Sequence, residues 1–535
     1  MDGSQGFRQT LSWSVFLMGL IFWITVQGAF SLIPLWTRAL PPEVDDSLSY
    51  VLKSRQMEEC FYQDCPALSD LRKQLSKKYV NDHTRPERRL AGSRIFPVYH
   101  PLLSVMILGL KKLGLDWMTA YKVIWTVGPL FFGLAFAYLL ASLWGLPAAG
   151  LALGLLAFKV FPGTGLHRVV PSNLAMAMAA ILWARIISQN GKAMWALVIG
   201  SILMIAMHPI GRIYAVMAVF LALSLSGFRP RLKTWLPAFL VFSMVGLAFV
   251  IFAAVKGVEL VNFRIFPKGD HPIIGMVIGA SETVLEVCVN IITLEGGLFG
   301  SIALFCGAVA FGLLTAPWEK RSVALKTISI YALFLFALLF YVSTHPADVI
   351  FRMWIPLVII LFGALGQAIW HLMGRSWALL MKGLKGPGGP GNFRLQETWP
   401  VVVLALLLGY SFHMTLRGAE QVEATERHIQ NCQPLLFDAS QPELLLSQAG
   451  KGDRVLYTSM IIMPYYLIHG AMQLGAVYYH PSMEGTEAAD LWLNRPDVRF
   501  AVAYHPTVYH PSFEGMKENL WWTGSPDFYF SPLSE

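Results

Sequence analysis

The feature that most constrains the fold is a series of apolar runs, each long enough to cross a lipid bilayer. Of the 535 residues, 55% are hydrophobic and only 14% are charged, which excludes a water-soluble globule. Runs of about 17 to 25 apolar residues predict about eleven membrane helices, at residues 14–36, 118–143, 146–162, 173–188, 193–208, 212–227, 234–255, 298–315, 327–343, 350–372 and 398–415. We therefore predict an all-α polytopic membrane domain over residues 1–415.

The distribution of Lys and Arg predicts the orientation of these helices. Cytoplasmic loops are enriched in basic residues, and one side of the predicted topology carries Arg8, Lys192, Arg229, Arg231, Lys233, Lys320, Arg321, Lys326, Arg375, Lys382, Lys385 and Arg394. The opposite, external side carries the loop 37–117, the loop 256–297 and the chain from about residue 416. The first loop is also basic, but loops longer than about 60 residues are largely exempt from the rule.

The net charge of +8 is spread over the loops, without a compact basic and aromatic patch. Nucleic acid is therefore not a predicted partner, whereas membrane lipids are. Within the first loop, residues 47–55, 68–79 and 100–112 predict short helices. The pair Cys60 and Cys65 in this loop is compatible with a disulfide or with two thiols.

The composition changes after the last apolar run. Alternating patterns predict strands at residues 453–458, 474–479 and 498–504, with helices at residues 463–473 and 488–493. This alternation predicts a small external α/β domain over residues 416–535.

An acidic pair, Asp45 and Asp46, follows the first apolar run. Two adjacent carboxylates at a membrane surface repel each other and lose hydration, so such a pair is typical of a general base, a metal ligand or the partner of a cation. The alternative role is an N-terminal cap for the helix at residues 47–55, which would account for one aspartate.

Cations and histidines occur in the later external segments. Arginine binds phosphate oxygens in a bidentate fork and lysine binds them as a point charge, so the candidates for phosphate binding are Arg168, Arg212, Arg264, Lys268 and Arg352. Their alternative role is contact with lipid headgroups. The histidines beside prolines, His100, His208 and His345, are site candidates whose alternative role is to cap helix ends.

Three segments resemble the GT-C class of integral-membrane glycosyltransferases, in particular the group of the aminoarabinose transferases and protein O-mannosyltransferases. Residues 44–50, from Val44 through the acidic pair to Tyr50, are similar to the acidic motif in the first external loop of that class. The His-Pro-Leu-Leu segment from His100 resembles a His-Pro-Pro-Leu motif, with Leu102 in place of the second proline. The segment from Phe351 to Leu357 resembles a late helix entered through Arg-Tyr, with Met353 in place of tyrosine.

The resemblance implies an enzyme that transfers a sugar from a polyprenyl-phosphate donor to a hydroxyl of a glycan, lipid or protein at the external face, with inversion at the anomeric carbon. It implies Asp45, or else Asp46, as the general base and Arg352 as the main ligand of the donor phosphate, helped by Arg264 and Lys268. Arg168, Arg212 and Tyr50 are further candidates. From the absence of Asn-x-Ser/Thr sequons we expect the bacterial inner membrane with a periplasmic site, and the endoplasmic reticulum is the alternative.

The second external loop, residues 163–173, contains His167 and Arg168 but no Asp or Glu. We therefore expect catalysis without a metal and no other cofactor, with a divalent metal as the open alternative. Two other functions are compatible with an external site on a polytopic chain: a polymerase or ligase of lipid-linked glycans, and a transporter or flippase. Charges on one face, rather than at mid-membrane, favour the transferase over the transporter.

Overall fold

The structure is a computed structural model that describes residues 3–37, 47–59, 66–67, 101–157, 171–208, 210–226, 244, 299–342, 348–385, 409, 440–457, 462–478, 497–503, 521–522 and 529–532. The chain divides into two compact units. Unit 1 comprises Met1–Leu32, Thr126–Gly246 and Asn262–Thr425. Unit 2 comprises Ile33–Trp125, Leu247–Val261 and Glu426–Glu535, so that it combines the first-loop segment with the C-terminal region. The predicted domain boundary at residue 415 lies outside the described residues and stays a prediction.

Helices dominate the described part of the chain. Their bounds are Gly3–Thr37 (α1), Ser47–Glu59 (α2), Pro101–Lys112 (α3), Trp117–Trp144 (α4), Leu146–Leu156 (α5), Pro171–Ser188 (α6), Met194–Met207 (α7), Gly211–Ser226 (α8), Phe299–Thr315 (α9), Trp318–Val342 (α10), Asp348–Lys385 (α11), Ser440–Gln448 (α12) and Ile462–Ile468 (α13).

Nine of the predicted membrane helices coincide with helices α1 and α4–α11. The predicted helices at 234–255 and 398–415 fall, except for single residues, outside the described part, so the total of eleven stays a prediction. Four described segments are long and apolar enough to cross a membrane, namely Gln9–Gln27, Trp117–Trp144, Pro171–Ser188 and Ile355–Ala378. In the first loop, the predicted helices at 47–55 and 100–112 are confirmed as α2 and α3, and residues 68–79 lie outside the described residues.

Helix α11 forms the centre of unit 1. It packs against α5, α9 and α10, and the helices α6, α7 and α8 pack against one another. In the most apolar stretch of Ile355–Ala378, 83% of the residues are buried. In the corresponding stretch of Gln9–Gln27 in α1, only 6% are buried. The α5–α11 contact depends on small residues, because a Cβ at Gly366 would lie 2.2 Å from the carbonyl oxygen of Ala148.

Unit 2 contains a five-stranded mixed sheet in the order β2-β1-β3-β5-β4. Its strands are Arg454–Tyr457 (β1), Gly475–Tyr478 (β2), Val498–Ala503 (β3), Trp521–Trp522 (β4) and Tyr529–Pro532 (β5). Strands β2 and β3 run parallel to β1, whereas β5 is antiparallel to both β3 and β4. The three predicted strands are confirmed as β1, β2 and β3, and Trp521 and Trp522 lie in a strand at the edge of this sheet.

Strands β1 and β2 are parallel, so the chain needs a crossover connection between them, and helix α13 lies in this connection. The predicted helix at 463–473 is confirmed in its first part, since α13 ends at Ile468 and Ala471–Gln473 form a 3-10 turn. The predicted helix at 488–493 lies outside the described residues. The sheet is held by burial of Val455, Leu456 and Tyr457 in β1 and by an ion pair between Arg454 and Asp497 at its start.

Candidate functional site

Most of the predicted site residues lie outside the described part of the chain. This applies to Asp45, Asp46, His100, Arg168, Arg264, Lys268 and His345. The structure describes Tyr50, His208 and Arg212 with their side chains, and it gives Arg352 its place on a helix. The roles of all these residues in a site stay predictions. The structure describes the helices that carry or follow several of them.

The acidic pair directly precedes α2, which begins at Ser47. Residues 50–54 of α2 are all buried, and five consecutive residues cover every face of a helix with 3.6 residues per turn. Two elements of unit 2 cover it, since α3 and α13 both pack against α2. A helix enclosed in this way gives the segment that follows the acidic pair a fixed position in unit 2.

Tyr50 lies inside this enclosed turn, with 3% of its surface exposed. The ammonium of Lys53, also buried, lies 5.3 Å from the centre of the Tyr50 ring. A cation over an aromatic face is stabilised by the ring's charge distribution, more strongly where water is excluded. Tyr50 therefore contributes to keeping a positive charge inside α2, a few residues after the two aspartates.

The second half of α2 is polar and makes contacts with charged groups of unit 2. Glu58 pairs with Lys112 at the end of α3 at 2.5 Å. Arg55 interacts electrostatically with His469, which follows α13. The same imidazole interacts with Asp116, which precedes α4, and with Glu443 of α12. These charges connect α2 to α3 and to the residue that follows α13.

Asp116 caps the first turn of α4. Its carboxylate accepts hydrogen bonds from the amides of Met118 and Thr119, each at 2.9 Å, and from the Thr119 hydroxyl at 2.5 Å. Burial acts to raise the pKa of Asp116, but these hydrogen bonds outweigh it and the pKa lies below its usual value. Asp116 is therefore a carboxylate at neutral pH.

His208 ends helix α7 in unit 1, and 6% of its surface is exposed. Its Nδ1 accepts a hydrogen bond from the Ile210 amide at 3.1 Å, and its carbonyl accepts one from the Gly211 amide at 2.8 Å. An imidazole that accepts at Nδ1 is not protonated there. This hydrogen bond fits the helix-capping role, which the sequence analysis gave as the alternative to a role in a site.

Arg212 is exposed in the first turn of α8. A cation is unfavourable at the amino end of a helix because the helix dipole is positive there. The helix dipole therefore does not favour Arg212 at this position.

Arg352 lies in the second turn of α11, four residues before Pro356. Proline has no amide hydrogen, so the carbonyl of Arg352 does not receive the usual helical hydrogen bond from position 356. This break in the hydrogen-bond ladder gives α11 a local irregularity at the residue that the sequence singled out for the donor phosphate.

Within the described ranges, no group of three or more His, Cys, Asp or Glu side chains is arranged to hold a metal ion. His469, Arg55 and Asp116 were not predicted from the sequence. They lie in three separate segments without a shared motif, so only their electrostatic interaction in the folded chain could have identified them.

No protein-family model matches the chain, and no curated protein matches it. Solved structures do match. ArnT from Cupriavidus metallidurans bound to undecaprenyl phosphate is similar with a TM-score of 0.53 and 12% identity, over 96% of this chain and 97% of ArnT. ArnT in the apo state gives a TM-score of 0.52 at 12% identity over the same shares. The apo oligosaccharyltransferase of Archaeoglobus fulgidus gives 0.49 at 12% identity, over 93% of this chain and 70% of that one.

At this level of identity the similarity to ArnT shows the fold. It extends over almost the full length of both chains, so it includes the C-terminal region as well as the apolar helices. The chain therefore has the GT-C fold that the sequence motifs led us to expect.

Proposed function

We propose that this protein is an inverting glycosyltransferase that moves a sugar from a polyprenyl-phosphate donor to a hydroxyl acceptor at the external face of the membrane. The observation that carries the proposal is the full-length similarity to ArnT, whose structure contains undecaprenyl phosphate. The acidic pair before an enclosed helix supports it independently, because a general base must be held in position to be effective.

The proposed reaction is a single displacement at the anomeric carbon. The acceptor oxygen forms a new bond to this carbon while the bond from the carbon to the phosphate oxygen breaks. The hydroxyl proton passes to an aspartate carboxylate, and the electron pair of the broken bond leaves with the polyprenyl phosphate. Attack from the side opposite the leaving group inverts the configuration.

We assign the base to Asp45 first and to Asp46 second. Either carboxylate is able to accept a proton from a hydroxyl within hydrogen-bond reach. The leaving group is a phosphate, which needs cations to stabilise its charge rather than a proton from a general acid. Asp46 is adjacent to the first residue of α2, at the sequence position where carboxylates cap helices, which favours Asp45 as the residue left for chemistry.

We propose that Arg352 is the main residue that binds the donor phosphate. Arg264 and Lys268 would assist it, and Arg212 and Arg168 are further candidate ligands. The position of Arg352 at the irregular turn of α11 and the exposure of Arg212 in the first turn of α8 support these assignments. We further propose that the enzyme belongs to the bacterial inner membrane, with its site facing the periplasm. The acceptor is a hydroxyl of a glycan, a lipid or a protein.

The test of the class is mass spectrometry of the lipids that co-purify with the full-length protein. A retained polyprenyl-phosphate sugar would identify the donor, which would then serve as the substrate in a transfer assay. Asp45→Asn should lower kcat about a hundred- to ten-thousand-fold, the usual contribution of a general base. Glu319→Gln, at an exposed acid in the first turn of α10, is the control and should retain full activity.

If Asp45→Asn is fully active and Asp46→Asn is not, the base is Asp46. Full activity in both variants would refute the acidic pair as the source of the base. Purified protein that carries no polyprenyl phosphate and transfers no sugar from any polyprenyl-phosphate donor would refute the proposed function itself.

Arg352→Ala tests the phosphate role. We expect the KM for the donor to rise at least tenfold with a smaller change in the KM for the acceptor, because a charge-assisted hydrogen bond to phosphate contributes about 1.5 to 3 kcal/mol. Arg375→Ala, which removes an exposed arginine from the same helix, is the matched control. An unchanged donor KM in Arg352→Ala would contradict the assignment.

A further inference from the structure

The start of α10 carries a basic pair, Lys320 and Arg321, at one end of unit 1. The distribution of Lys and Arg predicts that this end faces the cytoplasm, on the side of the membrane opposite to the proposed reaction. The proposed reaction uses neither residue. The contacts of the pair therefore point to a separate property of the protein.

The Arg321 guanidinium contacts an aromatic ring and the end of a helix. Its Cζ lies 4.7 Å from the centre of the Trp318 ring, and its Nη1 donates a hydrogen bond to the Leu314 carbonyl in the last turn of α9 at 3.4 Å. Its Nε is buried and has no hydrogen-bond partner among the described residues. A guanidinium has five N–H donors, and within the described ranges this one uses a single donor. The planar group is thus held in place with most of its donors left for a ligand.

Lys320 adds a second cation in the same turn of α10. Its side chain is half-buried, and its ammonium lies beside the turn between α4 and α5, 3.4 Å from where a Cβ on Gly145 would be. The ion pairs formed by the described residues include neither Lys320, nor Arg321, nor the adjacent, exposed Glu319. A cation that is partly buried without an ion-pair partner is unfavourable. The basic pair therefore favours the binding of an anion.

The residues around the basic pair are apolar and exposed. Trp318 is 71% exposed and Leu314 is 69% exposed. Leu325 and Leu333, also exposed, follow Trp318 at intervals of about two helical turns, so the three side chains lie on one side of α10. Tryptophan is typical of the boundary between lipid and water. The predicted membrane span of α9 ends at residue 315, so the bond to Leu314 puts the Arg321 guanidinium at the level of this boundary.

A cation over an exposed aromatic ring, next to an apolar helix face, is complementary to an anion that carries hydrocarbon chains. The phosphodiester of a phospholipid has two free oxygens and one negative charge, and arginine binds such oxygens in a bidentate fork. Acyl chains are complementary to Leu325 and Leu333. A zwitterionic headgroup carries a compensating positive charge, so basic residues attract it less than an anionic one. An acidic protein segment would match the cations but not the exposed leucines.

We propose that Trp318, Lys320 and Arg321 form a binding site for the headgroup of an anionic phospholipid. Arg321 donates to the phosphate oxygens, Lys320 adds a second positive charge, and the Trp318 ring keeps the guanidinium in its orientation. The acyl chains lie along Leu325 and Leu333. The bound lipid thereby covers the junction of α9 and α10. This inference does not depend on the proposed function.

The test is native mass spectrometry of the full-length protein with added phosphatidylglycerol, and with phosphatidylcholine for comparison. Three variants change the site: Arg321→Gln removes the charge, Arg321→Lys keeps the charge but not the planar fork, and Trp318→Leu removes the ring. Lys326→Gln is the matched control. It removes the same charge from the same helix, but the Lys326 ammonium already donates to the Ser224 carbonyl at 3.1 Å. Thermal unfolding without added lipid shows whether each variant is folded.

We expect the native protein to bind phosphatidylglycerol in preference to phosphatidylcholine. Arg321→Gln should raise the Kd for phosphatidylglycerol about tenfold or more, because it removes a charge-assisted bidentate contact. Arg321→Lys should raise this Kd about threefold, since lysine binds phosphate as a point charge. Trp318→Leu should also raise it about threefold through the loss of the cation–aromatic contact. Lys326→Gln should leave it within about twofold, as expected for a surface charge with a partner of its own.

Equal affinities for phosphatidylglycerol and phosphatidylcholine would overturn the proposal. An equal loss of affinity in Arg321→Gln and Lys326→Gln would also overturn it, because this end would then attract anionic lipid only through its total charge. If Arg321→Gln does not fold, native affinity in both Arg321→Lys and Trp318→Leu decides against the site.

Inorganic phosphate is the third probe, since it offers the same oxygens without acyl chains. We expect it to leave the melting temperature of the native protein unchanged. If phosphate raises the melting temperature of the native protein but not of Arg321→Gln, while phosphatidylglycerol binds both equally, the site takes a free anion and the lipid assignment is wrong.

Discussion

The packing inside unit 1 differs in kind from the packing inside unit 2. In unit 1 the helices approach closely at small residues: a Cβ at Gly366 or Gly312 would lie within 2.2 Å of a backbone oxygen on the neighbouring helix. In unit 2 the packing relies on large side chains, such as Tyr457 and Tyr466, and on ion pairs.

Such a difference is typical of helices that pack in lipid and of a sheet that packs in water. Between helices in lipid there is little hydrophobic driving force, so association depends on close backbone packing. A sheet with its helices in water is stabilised by removing apolar surface from water. The same kind of substitution should therefore have different effects in the two units.

The largest effect is expected from removing buried side-chain volume in unit 2. Leu52 of α2 is 0% exposed, so Leu52→Ala should lower the free energy of unfolding by about 3 kcal/mol through lost burial and a cavity. Leu113→Ala is the matched control, because Leu113 is 82% exposed, and should change it by less than about 0.5 kcal/mol. Thermal unfolding of the two purified variants measures the difference. Equal stabilities would mean that α2 is not enclosed.

A smaller effect is expected from adding a methyl group in unit 1. Gly366→Ala forces a Cβ against the Ala148 carbonyl and should destabilise the protein by about 2 kcal/mol. Gly374→Ala on the same helix meets nothing within 4 Å, so the higher helix propensity of alanine should leave stability unchanged or raise it by about 1 kcal/mol. Melting temperatures that shift in the same direction would contradict the close α5–α11 packing.

The smallest effect is expected at the start of the sheet in unit 2. Arg454 and Asp497 are both less than one third exposed and form an ion pair, so Asp497→Asn should cost about 1 kcal/mol. The neighbouring pair of Arg499 and Asp453 is 4.0 Å apart and Arg499 is 53% exposed, so Arg499→Gln should have almost no effect. High salt should reduce the cost of Asp497→Asn. A larger loss in Arg499→Gln would reverse this assignment.

The sequence predicted individual elements well where a single pattern was sufficient. Apolar runs placed α1 and α4–α11, and alternating residues placed β1, β2 and β3, because helix and strand periods are local properties. It predicted less well where an element depends on its neighbours. Residues 463–473 were predicted as one helix, but the chain turns after Ile468, with Gly470 at a φ of 119° that favours glycine.

The candidate site shows the same limit. The acidic pair and Arg352 could be chosen from the sequence because charge beside or within an apolar run is unusual and is visible locally. His208 could not be resolved in this way, since only the hydrogen bond from Ile210 distinguishes a helix-capping histidine from a free one. Arg55, Asp116 and His469 carry no motif, and each is an ordinary residue in its own segment.

The sequence by itself determined that this chain is a polytopic helical protein with an acidic pair after its first apolar helix, because hydropathy and charge are properties of the residues themselves. The tertiary structure alone decided that α2, which follows this pair, is enclosed by α3 and by α13 from the far end of the chain. Such contacts depend on the shape and burial of side chains that meet only after folding.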